Sequence, residues 1–308
     1  MATTTSISTS YAGEFAGKYI SAALLSGSTL ANDLITIKPN VKFKEVMKKV
    51  ATDDIVKNAS CDFDASSTLT LTERILQPEE FQVNLQLCKK DFISDWEAVS
   101  MGYSAYSDLP VNFSDFLIAH VSAKVAARIE NNIWGGTNAT AGQFDGFKTT
   151  LLADADVVDV GAGAAVTAAN VIDKMGLTVD GIPSTVYGAD DLVIYVAPNV
   201  YRAYVRALGG FSSQVGAAGT DSKGTQWFNG GALTFDGINV ALANGMASNT
   251  MVAAEKSNLF FGTGLLSDQN EVKVIDMADV DGSQNVRVVM RFTAGIQHAI
   301  GSDIVLYS

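Results

Sequence analysis

Imidazole is the side chain that exchanges a proton near neutral pH, and this sequence has two, His120 and His298. Neither has a nucleophile or ligand partner at a recognisable spacing, and the HExxH, GxSxG and P-loop patterns do not occur. His120, on a predicted helix, is read as a structural, hydrogen-bonded histidine. Asp154-x-Asp156-x-x-Asp159 could attract calcium, but the glycine and terminal glutamate of an EF-hand loop are missing, so a solvated loop is expected. Gly161-Ala-Gly163 follows the apolar run Val157–Val160 and precedes a predicted helix, the outline of a dinucleotide loop. Val166 stands where the third small residue is needed, so no cofactor is expected. Glu79 and Glu80 are adjacent carboxylates, and neighbours in a strand face opposite ways, which rules out a general acid/base couple. Cys61 and Cys88 are too few for a disulfide framework and lack a metal-binding spacing; they are read as reduced thiols of a cytosolic origin. No catalytic, cofactor or metal residues are assigned, and the expectation is a protein that is not an enzyme.

The elements that would position such residues are more telling. Phe113, Phe116, Leu117, Val121, Val125 and Ile129 recur at three- and four-residue steps, predicting an amphipathic helix over 112–136. Asn112 can cap it, with Asp115 in a weak capping-box register, and Gly135-Gly136 closes it. About 22 residues at 1.5 Å each span roughly 33 Å. The opposite face mixes Asp115, Ala119, Ser122, Ala126 and Glu130, small enough for a second element to approach. The helix therefore reads as a beam packed on more than one side.

Before it come a Ser/Thr-rich arm over 1–10, a short helix at 15–25, a strand at 34–38 and the basic segment Lys42–Val50. Segments 55–64, 67–74 and 80–87 read as β, with Leu69 and Leu71, then Phe81, Val83, Leu85 and Leu87 in alternation and a turn at 64–67. Together they make a long two-stranded excursion with few apolar residues, which needs a partner to be stable. A short helix at 92–101 contains Trp96. After Gly136, a helix near 165–175, a strand at 192–197 and a helix over 198–208 predict a mixed α/β section, with proline favourable at the first helical position. Residues 209–231 read as a Gly/Ser-rich loop. Strands follow at 232–242, 250–255, 271–278, 285–296 and 303–307, with Asp281-Gly282 as a hairpin turn.

Composition narrows the function classes. The 308 residues are 47% hydrophobic and 18% charged, suiting a folded chain with a large core. A net charge of −12 argues against a nucleic-acid grip built on clustered Lys and Arg. Asp154, Asp156, Asp159, Asp173, Asp180, Asp190 and Asp191 stand against Lys174 alone in 151–191, whereas Lys42, Lys44, Lys48 and Lys49 cluster earlier. That polarity could pair one copy of the chain with the next. The first residues lack the basic and apolar regions of a signal peptide, and no apolar run is long enough to span a membrane.

The order of parts, from polar arm through β excursion, long helix and mixed α/β section to β-rich C-terminus, resembles the major capsid proteins of tailed bacteriophages. Leu192-Val-Ile-Tyr-Val-Ala-Pro198 with the helix Tyr201–Leu208, and Val286–Ile296 with Ile304–Tyr307, carry the likeness. The resemblance implies an α+β, Hong Kong 97-like fold. It divides the chain into an N-terminal arm and short helix (1–30), an E-loop region (40–90), a P domain (91–150 and 271–308, with the spine helix 112–136) and an A domain (151–270).

It also implies a shell protein of the virion, assembled in the host bacterial cytoplasm. Copies would form hexamers and pentamers of an icosahedral head that encloses double-stranded DNA without sequence-specific binding and without a membrane. A separate scaffolding protein and a portal are expected partners, and a decoration protein is possible. Lys57, Arg74, Glu79 and Glu80 are the candidate inter-subunit contacts. Some family members join an E-loop lysine to an asparagine next door, with a glutamate as base. Lys57 is available, but no matching asparagine and glutamate can be placed, so no crosslink is expected. The alternatives are an encapsulin-type compartment shell, which shares this fold, and a soluble α/β enzyme, which would need a convergent polar pocket.

Overall fold

The computed structural model describes residues 10–12, 28–52, 56, 58, 61, 68–88, 111–161, 165–208, 233–264 and 271–308. The predicted helices at 15–25 and 92–101, the turn at 64–67, the loop at 209–231 and most of the segment 55–64 lie outside these residues. The described strands are β1 (Ser10–Ala12), β2 (Thr36–Lys38), β3 (Glu45–Thr52), β4 (Leu69–Leu76), β5 (Glu79–Cys88), β6 (Val158–Asp159), β7 (Leu192–Val196), β8 (Leu233–Phe235), β9 (Ile238–Leu242), β10 (Met251–Glu255), β11 (Leu259–Gly262), β12 (Glu271–Asp276), β13 (Asn285–His298) and β14 (Val305–Tyr307). The helices are α1 (Ser28–Ala31), α2 (Val111–Gly135), α3 (Phe147–Leu152), α4 (Val171–Asp180), α5 (Pro198–Leu208) and α6 (Ala278–Asp281).

Two mixed sheets share one core. The first runs β1-β12-β13-β11-β2, with β5 also paired to β13; the second runs β6-β14-β10-β7-β9-β8. Strand β7 is buried at every position, as a central strand covered on both faces must be. Strand β9, which follows α5 and β8 in the sequence, lies parallel to β7. The single strand predicted over 232–242 is two, β8 and β9. Asp236 and Gly237 turn between them with φ of 48° and 82°, the left-handed pair that a tight hairpin requires. The proposed turn at Asp281-Gly282 is preceded by the short helix α6, and Gly282 takes the left-handed conformation that ends it.

Helix α2 spans about 38 Å at 1.5 Å per residue, and its 25 residues match the predicted beam within one position at each end. Leu117, Val121, Val125 and Ile129 form the buried stripe. Beside that stripe Ile118, Ala126, Glu130 and Trp134 are also buried. Trp134 is the hub: its ring centre lies 5.4 Å from that of Phe147 on α3 and 5.1 Å from that of Tyr195 on β7. Gly245 meets the helix so closely that a methyl group there would sit 2.0 Å from the Glu130 carbonyl oxygen.

Glu130 is a buried carboxylate with a structural task. It accepts from Ser28 Oγ at 3.0 Å, Thr29 N at 3.0 Å and Thr29 Oγ1 at 2.6 Å, and Trp134 Nε1 donates to the same Thr29 Oγ1 at 2.8 Å. The first turn of α1 is thus bonded to the side of α2. Removing the carboxylate strands a buried N–H and a buried hydroxyl, at roughly 2–3 kcal/mol. Glu130→Ala is expected to lower the unfolding free energy by that amount, read from denaturant titration, and an unchanged midpoint would mean the bonds contribute nothing net.

The predicted excursion differs in its pairing. The basic segment is itself strand β3, and it pairs antiparallel with β4 from Glu45↔Leu76 to Thr52↔Leu69. Strand β5, read as part of the excursion, instead lies along β13 in the body, from Asn285↔Cys88 to Ala294↔Glu79. Its alternation explains the choice. Phe81, Val83, Leu85 and Leu87 pack on the core, while Glu80, Gln82, Asn84 and Gln86 face outward. No helix among the described residues is long and apolar enough to cross a membrane.

Candidate assembly interface

The β3–β4 hairpin forms a separate two-stranded sheet. Its register places Val46 opposite Ile75, Lys48 opposite Glu73 and Val50 opposite Leu71. Directly paired residues point to the same side, so Val46, Leu69, Leu71 and Ile75 share one face. That face is bare: Leu69 is 62% exposed, Leu71 59%, and Val46 and Ile75 46% each. Lys48 and Glu73 cross its middle with Nζ and Oε1 3.6 Å apart. Phe43 just before the hairpin and Val56 beyond β3 are exposed as well. Single exposed apolar residues are ordinary, but an aligned set on one marginal sheet marks a contact surface.

The reverse face turns toward the body at the hairpin's root. Leu76 is fully buried there, against Gly262, where even a methyl group would lie 2.9 Å from Leu76 Cδ2. Arg74 is ion-paired with Asp154 through Nη2 and Oδ2. His298 Nε2 lies 2.8 Å from the same Asp154 oxygen, and Asp154 Oδ1 accepts from the Asp156 N–H at 3.1 Å. Burial pushes the Asp154 carboxyl upward, but bonds from His298 and Asp156 and the Arg74 guanidinium hold it below the usual carboxylate range. Gln297 Nε2 donates to the Ile75 carbonyl at 3.1 Å and Lys49 Nζ to Ser302 Oγ at 3.4 Å.

The four residues singled out as contacts fall in different places. Lys57 lies outside the described residues. Arg74 is engaged within its own chain by Asp154, so the loop expected to be solvated is partly a docking point. Glu80 is exposed on β5. Glu79 accepts from Asn138 Nδ2 at 2.6 Å, and Asn138 N donates to Asp145 at 2.8 Å. Partial burial and the nearby Asp145 carboxylate raise the Glu79 pKa. An asparagine and a glutamate, which the sequence could not pair, are therefore in contact; 59 positions separate them, and only the fold brings them together.

Of the histidines, His298 is 1% exposed and hydrogen-bonded, whereas His120 is exposed on α2. No group of three or more metal-ligating side chains occurs among the described residues. A cleft of about 250 Å³ is lined by Tyr187, Asp190, Leu192, Asp236 and Asn239 among others. Its described lining has neither histidine nor cysteine.

No protein-family model and no curated protein sequence matches the chain. Solved structures do. The capsid of the native GTA particle superposes with a TM-score of 0.59 at 12% identity, over 93% of this chain and 89% of that one. The capsid of Myoviridae Phage XM1 gives 0.56 at 12%, over 91% of each chain. The satellite phage P4 procapsid gives 0.53 at 11%, over 94% of this chain and 98% of that one. At these identities the likeness is one of fold, and it extends over nearly the whole chain.

Proposed function

We propose that this chain, which has the fold of phage capsid proteins, is a major capsid protein whose copies build the hexamers and pentamers of an icosahedral head around double-stranded DNA. The observation that carries this reading is the bare apolar face of the hairpin. In a neighbouring copy that face finds the cover that the described residues of its own chain do not provide. On this reading the hairpin is the E-loop, residues 91–150 with 271–308 are the P domain, 151–270 the A domain, and the arm over 1–30 reaches to neighbours. The net charge of −12 suits a wall that must not adhere to packed DNA. Assembly takes place in the host cytoplasm with a separate scaffolding protein and a portal.

Electron microscopy of the purified chain tests this: closed shells or ring-shaped capsomers are expected, and a monodisperse monomer at high concentration would overturn it. The shells also bear on Asn138. Without an isopeptide bond, a denaturing gel resolves them to a single 32.5 kDa band, and this is the expected pattern. A covalent ladder would instead direct peptide mapping to Asn138, with Glu79 as the adjoining carboxylate.

A further inference from the structure

We infer that Asp154, Arg74 and His298 form a latch at the root of the hairpin, closed while His298 is neutral and released when His298 is protonated. The three residues come from separate parts of the fold: Arg74 from β4, Asp154 from the loop after α3, and His298 from the end of β13. One oxygen, Asp154 Oδ2, receives both cationic Arg74 and the His298 ring. A carboxylate can only accept, so the neutral ring carries its proton on Nε2. The other nitrogen, Nδ1, is buried and has no hydrogen-bond partner among the described residues.

That asymmetry makes the switch. A neutral Nδ1 leaves only a lone pair unmet, whereas protonation creates a buried N–H that nothing accepts and adds a cation beside Arg74. The charged groups at the site are Arg74 from β4, Lys49 from β3, Asp154 and Asp156 from the loop, and Asp303 from the turn after β13. Of these, Asp154 favours the imidazolium, while burial and Arg74 oppose it, with burial the larger effect; His298 is held below its ordinary pKa. A histidine depressed in this way contributes stability that is complete above its unfolded value, about 6.5, and lost as pH falls through the folded value. Water can reach the opened root through a cleft of about 80 Å³ lined by Met47, Lys49, Thr72, Arg74, Ala299 and Ile300. The carboxylate fits only because residue 301 is glycine; a methyl group there would lie 2.3 Å from Asp154 Oδ2.

The latch lies within one chain, so its test does not depend on assembly. Hydrogen–deuterium exchange of the full-length protein, corrected for the intrinsic effect of pH, reads the root amides of β3 and β4 against those of β7. Between about pH 7.5 and pH 5, root protection is expected to fall on the order of tenfold while β7 stays constant. His298→Gln keeps a neutral donor toward Asp154 and is expected to abolish the pH step while retaining protection at neutral pH. Arg74→Met is expected to show the unprotected root at both pH values, and it carries the comparison if His298→Gln does not fold. A wild-type root indifferent to pH, an unaltered step in His298→Gln, or full root protection in Arg74→Met would each overturn the latch.

Discussion

Leu69→Asp combined with Leu71→Asp is expected to yield a folded chain that no longer assembles. Both side chains are mostly exposed within their own chain, so the substitution removes little native packing. Surface changes of this kind usually shift stability by about 0.5 kcal/mol or less. In the proposed assembly the same two leucines would be covered. Burying their exposed parts contributes roughly 2–4 kcal/mol per contact, about 30- to 700-fold in association, and each carboxylate adds a desolvation cost where the neighbour would sit. In the proposed shell every copy would repeat the contact, which would multiply the loss. Analytical ultracentrifugation should show a monomer with the wild-type thermal midpoint. Normal shells from this variant would remove the hairpin face from the interface.

Val125→Asp is expected to fail earlier, at folding. Val125 is 7% exposed at the centre of the buried stripe of α2. A carboxylate there has no partner, and changes of this class exceed about 4 kcal/mol. That is comparable to the whole stability of many domains, about 5–15 kcal/mol. Loss of the cooperative melt and of shells together is the predicted pair of outcomes. Well-formed shells would mean that α2 does not brace the fold. The two variants separate surface from support: the first leaves a melt without assembly, the second removes both.

Elements with a local signature were legible in the sequence. Periodicity gave α2 to within a residue at each end, and proline at its first position gave α5 over its full length. Alternation gave β5 and β13, whose apolar faces meet the core. What stayed hidden was pairing at long range. Strand β3 was disguised by its lysines, because Lys48 faces solvent and Lys49 reaches Ser302, leaving little apolar rhythm to read. The association of β5 with β13, about 200 positions away, obeys no local rule. The same limit applied to the root of the hairpin. Residues 74, 154 and 298 carry no motif, and Asp154 looked like any acidic loop residue until Arg74 and His298 met on its oxygen. The exposed leucines were visible as an alternating pair; that their face is bare required the backbone.

Strand β13 has a mechanical consequence. It runs for 14 residues and is bonded to β5 over Asn285–Ala294, to β12 on the opposite flank over Val286–Arg291, and to β11 over Gly295–His298. Antiparallel hydrogen bonds stand perpendicular to their strands, so tension along β13 strains them in shear and they must rupture together. The β3–β4 hairpin has no comparable backing among the described residues, and a pull across it peels one bond at a time. In the proposed shell, stretched from within, β13 would be the inextensible fibre and the hairpin the compliant one. Strain would therefore collect at its root, where Arg74 meets Asp154.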